Sequence, residues 1–489
     1  MSSLKDKTVS GLFWTWTETI TSQLVNFLAM LVLARLVIPD DFGLIAMCAI
    51  FIAMAQVFID GGFVQALVRK QNCADCDYST VFWINISMGV LLYAFMFVTA
   101  PFIAHYFEQP ALTQIIRVLM LVLPFNALTL IHRTILIKQF KFRLQAVISL
   151  IGIVVGFGVS VGMAWSGYGV WSIVAKQLST QFVMMCGFWF INKWRPQYCF
   201  SRDSFRELFG FGSKLLAINF LAVLFNNIYK TIIGKVYNAR ELGFYSNADS
   251  MAGVLSNSFT VMLNRAAYNT LSRYQHDDVE FKRVLRQLME PLYYPVFCIF
   301  CTCAVMSSAL IPLLLGTAWQ RAAFFFSFLC IAYMATIMHT VNQMIMNVKG
   351  RSDYFLKTEL IKYALFVPVV WIGVRYGINA LVIGFVVHYW LGFPINALYS
   401  KRLIDYGFWE QLKDMASPMA FALTVAAIVW LISLVPTNML WLTVLLQGCT
   451  ALLTAWILVK IFKIKAYDAL CTMLHKLMHL EHTNKDTND

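Results

Sequence analysis

Residues 12–64 decide the class of fold, and they read LFWTWTETITSQLVNFLAMLVLARLVIPDDFGLIAMCAIFIAMAQVFIDGGFV. Two apolar runs, at 12–38 and 42–64, are separated only by the turn Pro39-Asp40-Asp41. Each run is long enough to cross the bilayer, since a spanning α-helix needs roughly 20 apolar residues. Neither run alternates between polar and apolar residues as the strands of an outer-membrane barrel do. We therefore predict an all-α, polytopic membrane protein.

The remainder of the chain has the same character. Of its 489 residues, 60% are apolar and 13% charged, and the mean hydropathy is +0.68, which leaves little sequence for a soluble domain. Polar or Gly/Pro-containing connections separate further apolar windows. We predict about fourteen transmembrane helices, numbered 1 to 14, at 12–38, 42–64, 80–105, 111–132, 144–165, 169–190, 209–237, 242–264, 291–315, 321–346, 356–375, 378–398, 416–435 and 439–461.

The net charge of +13 reflects membrane topology. Most of the 38 Lys and Arg residues fall in alternate connections, while the connections between them are short and nearly uncharged. The positive-inside rule places the basic connections, and both termini, in the cytoplasm. We therefore expect a multi-pass membrane protein whose first helix is a signal anchor and whose basic residues attract anionic lipids instead of nucleic acid.

The sequence contains an internal repeat, because residues 200 positions apart match without gaps. Examples are Leu24 with Leu224, Asn26 with Asn226, and Gly43 with Gly243. The register predicts an N-terminal six-helix lobe at 1–200, a C-terminal six-helix lobe at 201–415, two additional transmembrane helices at 416–462, and a cytoplasmic amphipathic and disordered tail at 463–489. Parallel repeats of this kind occur in transporters that rock one half against the other.

Polar side chains form stripes on matched helices of the two predicted lobes. Helix spacing places Glu18, Ser22 and Asn26 on one face of helix 1. The matching stripe on helix 7 contains Asn219, Asn226 and Lys230, helix 8 carries Asn257 and Asp249, and helix 2 ends at Asp60. Polar groups within hydrocarbon face a protein interior or a wet cavity. The stripes predict a substrate cavity between the repeats; the alternative is that amides and small residues only hold helices together.

Cations inside the predicted helices are candidates for binding an anionic substrate. They are Lys230, Arg117 and Lys176, each of which has the alternative of reaching the membrane surface with its long side chain. Carboxylates at Glu18, Asp60 and Asp249 are candidates for coupling transport to an ion. Lys362 is predicted to pair with Glu359, three residues earlier.

No motif predicts catalysis. The chain lacks a Gly-rich phosphate loop, an HExxH motif and a GxSxG motif. Cys73 and Cys76 have a metal-like spacing, but no second pair completes a zinc site, and His339 and His388 are isolated in their helices. We expect no cofactor, no metal and no enzymatic activity.

Two stretches resemble the polysaccharide transporter family of the multidrug/oligosaccharidyl-lipid/polysaccharide flippase superfamily. They are LVLARLVIPDDFGLIAM at 31–47 and FIDGGFVQAL at 58–67, and the second half adds NNIYKTIIG at 226–234, LGFYSNA at 242–248 and LGTAW at 315–319. The resemblance covers nearly the whole chain and is greatest to the colanic-acid and teichuronic-acid exporters. The chain departs from the family's pattern at 267–269, where Ala-Tyr-Asn replaces an expected Pro.

The resemblance implies fourteen helices in two lobes and a flippase for lipopolysaccharide or exopolysaccharide precursors in the bacterial inner membrane. The implied substrate is an undecaprenyl-pyrophosphate-linked oligosaccharide repeat unit, and the implied partners are membrane lipids, a polysaccharide polymerase and chain-length machinery. Two alternatives remain open. One is a drug/sodium or drug/proton antiporter of the same superfamily, and the other is a membrane polysaccharide polymerase or glycosyltransferase, for which the outward connections are short.

Overall fold

The computed structural model describes residues 2–70, 73–435 and 439–462. Within those ranges the chain forms α-helices and a 3-10 turn at Thr317–Trp319, without any strand. The helices are α1 Ser2–Leu36, α2 Pro39–Asp60, α3 Phe63–Arg69, α4 Asp75–Tyr106, α5 Leu112–Leu119, α6 Val122–Lys138, α7 Phe142–Trp165, α8 Val170–Ile191, α9 Arg202–Val236, α10 Ala239–Ser272, α11 Asp278–Leu315, α12 Gln320–Val348, α13 Ser352–Tyr376, α14 Ile378–Ile404, α15 Phe408–Ser433 and α16 Leu440–Phe462.

Local sequence explains the bounds of α2 and α3. Pro39 occupies the first turn of α2, where its missing N–H is not needed, and Asp40 and Asp41 complement the positive end of the helix dipole. The helix stops at Gly61 and Gly62, whose φ angles of 51° and 72° are accessible to glycine but rare for other residues. The predicted window 42–64 therefore contains a sharp turn at Gly61 and Gly62, and its last two residues belong to the short α3.

Eleven helical segments of the described chain are long and apolar enough to cross a membrane. The prediction of an all-α, multi-pass membrane protein is thereby confirmed. The helices α8, α10 and α13 are not among the eleven. They carry polar residues such as Lys176, Asp249 and Lys362, which lower their hydropathy. The total of fourteen spans stays a prediction.

The first compact unit comprises residues 1–246. In it, Phe82 on α4 packs against Trp189, Trp194 and buried aliphatic side chains of α3, α6 and α9. The irregular segment 192–201, which joins α8 to α9, is fixed to the first turns of α4: Gln197 N donates to Ser79 Oγ at 3.0 Å. A disulfide joins Cys76 to Cys199 across a separation of 123 residues, a pairing that the sequence analysis did not predict.

The second compact unit comprises residues 247–489, described as far as 462. Its interior is held by side-chain hydrogen bonds around Asn342, which bonds to Gln411 at 2.9 Å and accepts from Ser400. The predicted Lys362–Glu359 ion pair is confirmed.

His339 lies in the same interior, where its ring bonds to Asn396 Nδ2 and to the Tyr389 carbonyl, both at 2.9 Å. No group of three or more His, Cys, Asp or Glu side chains in the described ranges is arranged to hold a metal.

The division between the compact units falls inside α10, whereas the predicted lobes meet at 200/201. The lobe boundaries rest on the repeat register and stay a prediction. The predicted cytoplasmic tail at 463–489 lies outside the described residues.

Candidate substrate cavity

A cavity of about 630 Å³ lies in the first compact unit, among α1, α2, α6, α7, α8 and α9. Four of the residues predicted from the polar stripes line it. They are Glu18, Ser22, Asp60 and Asn219. Parts of the stripes of helices 1 and 7 thus meet the end of helix 2 at one space.

Other polar side chains complete the lining. They are Gln56, Asn126, Thr129, Arg133, Ser149 and Gln181. Asn126 Oδ1 accepts a hydrogen bond from Gln181 Nε2, which links α6 to α8. Asp60 Oδ1 is buried and has no hydrogen-bond partner among the residues the structure describes. Amides and hydroxyls of this kind match the hydroxyl groups of a sugar, because each can donate or accept.

Arg133 is a charged residue of the lining that the sequence analysis did not name as a candidate. The predicted window ends at residue 132, which left Arg133 in a basic connection. Helix α6 instead continues to Lys138, so Arg133 lies inside the helix. Its side chain is exposed at the cavity and makes no ion pair with any described residue. A guanidinium offers two parallel N–H donors to a phosphate. Arg133 is the one Lys or Arg in the described lining.

The other candidates do not line this cavity. Asn26 and Asn226 are exposed. They lie on the same helix faces as lining residues of α1 and α9, but farther along those helices than the cavity extends. Lys230 and Lys176 are half-buried on α9 and α8. Arg117 instead bonds to the Phe97 carbonyl at 3.4 Å and lies 4.5 Å from that ring's centre.

Two further candidates belong to the second compact unit. Asn257 is exposed on α10, and Asp249 accepts a hydrogen bond from the Tyr333 hydroxyl.

A close contact between α2 and the start of α10 lies at the opposite end of α2 from the cavity. A Cβ at Gly43 would lie 1.7 Å from the Ala239 carbonyl oxygen, and a Cβ at Gly243 would lie 1.9 Å from that of Pro39. Arg240 Nε lies 4.0 Å from Asp40 Oδ2 beside this contact. Gly43 and Gly243 are 200 positions apart, as are Pro39 and Ala239, so the repeat register relates the two contacts to each other, and in both of them backbone packs directly on backbone.

A second glycine contact joins the other end of α2 to α9. A Cβ at Gly212 would lie 2.4 Å from the Gly61 carbonyl oxygen. Nearby, Lys70 Nζ lies 3.1 Å from Glu207 and 3.2 Å from Asp77, and the hydrogen bond to Glu207 raises the pKa of Lys70. The cavity lies nearer this end, which adjoins the basic connections.

Comparison with known proteins identifies the family of the chain. A family profile described as "Polysaccharide biosynthesis protein" matches residues 32–324, and the chain belongs to that family. The resemblance predicted from the sequence is thereby confirmed.

Two relatives are similar over most of their length. The teichuronic acid biosynthesis protein TuaB of Bacillus subtilis is 23% identical over 75% of this chain and 77% of its own. The lipopolysaccharide biosynthesis protein WzxC of Escherichia coli is 23% identical over 76% of each chain.

Two solved structures share the fold. The lipid II flippase MurJ in an inward closed conformation superposes with a TM-score of 0.72, at 16% identity, over 92% of this chain and 98% of its own. An inward-facing multidrug resistance MATE transporter superposes with a TM-score of 0.61, at 14% identity, over 78% of this chain and 94% of its own.

Proposed function

We propose that the chain is a flippase for undecaprenyl-pyrophosphate-linked oligosaccharide repeat units, which it moves from the cytoplasmic to the outer leaflet of the bacterial inner membrane by alternating access. The observation that carries the proposal is Arg133, which forms no ion pair with any described residue and lies in a cavity whose other polar lining residues are amides, hydroxyls and two carboxylates, beside apolar side chains such as Met184 and Phe188. The names of the relatives, teichuronic acid and lipopolysaccharide biosynthesis proteins and a lipid II flippase, support the same class of substrate.

The substrate has chemistry that this cavity fits. A pyrophosphate with attached sugars cannot cross about 30 Å of hydrocarbon unaided, while its lipid tail is at home there. A cavity within the protein replaces water around the head group: Arg133 binds phosphate oxygen, and side chains such as Asn126, Gln181 and Asn219 bind sugar hydroxyls. Outward movement of negative charge also follows an inside-negative potential, which contributes roughly 2.3 kcal/mol per charge per 100 mV.

The proposed topology has fourteen spans, two six-helix lobes and cytoplasmic termini. The polar helices α8, α10 and α13 have 22, 34 and 25 residues, enough to span a bilayer at 1.5 Å per residue. The reciprocal contact of Gly43 and Gly243 supports two lobes related by the 200-residue register. The proposal assigns transport alone to the chain, with a polymerase and chain-length machinery as its protein partners.

The proposed mechanism alternates between two closures. The structure has its cavity on the side of the basic connections, and the glycine contact of α2 with α10 lies toward the other side. Opening the cavity outward requires α2 and α10 to separate at Gly43. The contact of Gly61 with Gly212 has to persist in that state. The candidates outside the lining, Lys230 among them, stay predictions for the outward-open state.

A second candidate function is drug/cation antiport, which the carboxylates of Glu18 and Asp60 in the lining favour. In the flippase proposal these two residues couple transport to an ion. The two functions differ in what Arg133 does, because a cavity for cationic drugs gains nothing from a guanidinium.

The test is lipid transfer in proteoliposomes that hold the purified chain and a lipid-linked oligosaccharide with a lectin-accessible sugar. Loss of a charge-assisted hydrogen bond costs about 1.5–3 kcal/mol, so Arg133→Gln should slow transfer by roughly 10- to 150-fold, and Arg133→Lys should retain part of the rate. Arg206→Gln, an equal loss of charge at an exposed residue of α9 outside the cavity, should transfer at the wild-type rate. Wild-type transfer no faster than that of empty liposomes refutes the proposal, and drug efflux without lipid transfer supports the antiporter.

A further inference from the structure

A second pocket, of about 360 Å³, shares no lining residue with the substrate cavity. It lies in the first compact unit where α4 and α7 begin and where α6 and α8 end. Four helix ends therefore surround it, all adjoining basic connections of the sequence. In a membrane protein, that level along the helices is the head-group region of the bilayer.

The pocket is cationic. Lys138, Lys141 and Lys193 line it, against a single carboxylate at Asp75. The Lys138 ammonium is anchored, since it donates to the Lys70 carbonyl at 2.6 Å and to the Leu67 carbonyl at 3.0 Å.

The other two lysines are available to a ligand. Lys141 and Lys193 are exposed and form no ion pair with any residue in the described part of the chain. Lys141 also precedes the first turn of α7, whose end carries no side-chain cap. The unpaired N–H groups and the helix dipole add to the attraction for an anion there.

Apolar and hydrogen-bonding groups adjoin the lysines. Leu144 on α7 and Ile191 on α8 line the pocket with 37% and 42% of their surface exposed, which provides a path for hydrocarbon. Gln139 and Asp75 can bond hydroxyl groups. The Trp194 indole N–H is buried without a partner in the structure as described.

We propose that this pocket binds the phosphate head group of an anionic phospholipid, with Lys141 and Lys193 on the phosphate and the acyl chains along Leu144 and Ile191. A soluble phosphate shares the charge but has no hydrocarbon for the two exposed apolar side chains. Phosphatidylglycerol, whose glycerol hydroxyls match Gln139 and Asp75, is the probe that fits the lining. The site is independent of the proposed flippase activity, because it uses none of the cavity residues.

The experiment is a lipid titration of delipidated, detergent-solubilised protein, followed by native mass spectrometry. Phosphatidylglycerol should bind more tightly than phosphatidylcholine of the same chain length. The double change Lys141→Gln with Lys193→Gln should weaken phosphatidylglycerol binding about thirtyfold, since each lysine near a membrane surface contributes on the order of a fivefold effect. Lys141→Arg with Lys193→Arg should retain binding, because the charges remain.

The matched control is Lys357→Gln with Lys413→Gln, two exposed lysines on α13 and α15 outside the pocket. It removes the same charge and should leave the affinity for phosphatidylglycerol unchanged. Equal binding of the two lipids, or equal loss in both double variants, overturns the proposal. Displacement of phosphatidylglycerol by equimolar glycerol 3-phosphate also overturns it, because the site then recognises soluble phosphate and not a lipid.

Discussion

Adding one methyl group at Gly43 should open the contact between α2 and α10. The Cβ of Gly43→Ala would lie 1.7 Å from the Ala239 carbonyl oxygen and 2.5 Å from its carbon. The obstacle is backbone, which cannot rotate away as a flexible side chain can. The two helices must therefore separate by roughly 1.5 Å to restore van der Waals contact.

The size of the effect follows from that overlap. Overpacking costs about 1–3 kcal/mol, which shifts a two-state equilibrium by roughly 5- to 150-fold. Gly43→Ala should shift the population toward the state in which this contact is open. Gly243→Ala should act in the same direction, since its Cβ would meet the Pro39 carbonyl oxygen at 1.9 Å. Gly162→Ala on α7 is the matched control, because no atom lies within 4 Å of its added Cβ.

Cys48 provides the readout. It is fully buried and lies little more than one turn beyond Gly43 on α2. With the other cysteines replaced, its reaction with a water-soluble maleimide should accelerate in Gly43→Ala by a factor within the 5- to 150-fold range. The reasoning is refuted if Cys48 reacts at the wild-type rate in Gly43→Ala, or if Gly162→Ala accelerates it equally.

Further predictions concern the ion pair of Lys235 with Glu108, the orientation of the chain in the membrane, and the pair of Cys76 with Cys199. Lys235 lies 2.9 Å from Glu108, and its hydrogen bond lowers the pKa of that carboxyl from the ordinary 4.5. The ion pair is therefore fully formed above the ordinary pKa of 4.5 and is lost only as the pH falls through the lowered pKa of Glu108. The ratio of Lys235→Gln to wild-type transfer should be the same at pH 6 and pH 8 in proteoliposomes, and a ratio that changes between them would show another titrating group. In intact cells, impermeant thiol reagents should reach a cysteine at Asp40 but none at Arg283 or Lys349; the reverse pattern would invert the proposed topology. Cys76 and Cys199 adjoin basic connections, so a reducing cytoplasm should keep both as thiols that can be alkylated after permeabilisation, and the disulfide of the structure should form only on oxidation; a disulfide already present in cells would count against cytoplasmic placement.

The helices and the family were predictable from sequence because the bilayer imposes them. A hydrocarbon core of fixed thickness demands apolar windows of at least about 20 residues, and each of the fourteen windows falls on one described helix or on two consecutive ones. The faces of helices 1 and 7 were also predictable, since helical spacing fixes the angle of Glu18, Ser22 and Asn219.

Depth and tertiary pairing were not predictable in this way. Spacing places Asn26 on the same face as Ser22 but does not reveal how far along the helix the cavity extends. Arg133 was missed because an apolar window ends where charge begins, whereas α6 continues to Lys138. The Cys76–Cys199 disulfide depends on segment 192–201 folding back onto α4, which no local pattern encodes.

The measurement that tests alternating access most directly is reversible cross-linking of Asp40→Cys to Arg240→Cys. The native side chains approach to 4.0 Å beside the reciprocal glycine contact. In a background depleted of other cysteines, a short bifunctional thiol reagent with reducible bonds should cross-link the two residues and stop lipid transfer in proteoliposomes. Reduction of the cross-link should restore lipid transfer. The same reagent on Glu280→Cys with Arg283→Cys, which lie on one helix, should leave transfer unchanged. A protein fully cross-linked between residues 40 and 240 that still transfers lipid at the wild-type rate would contradict the account.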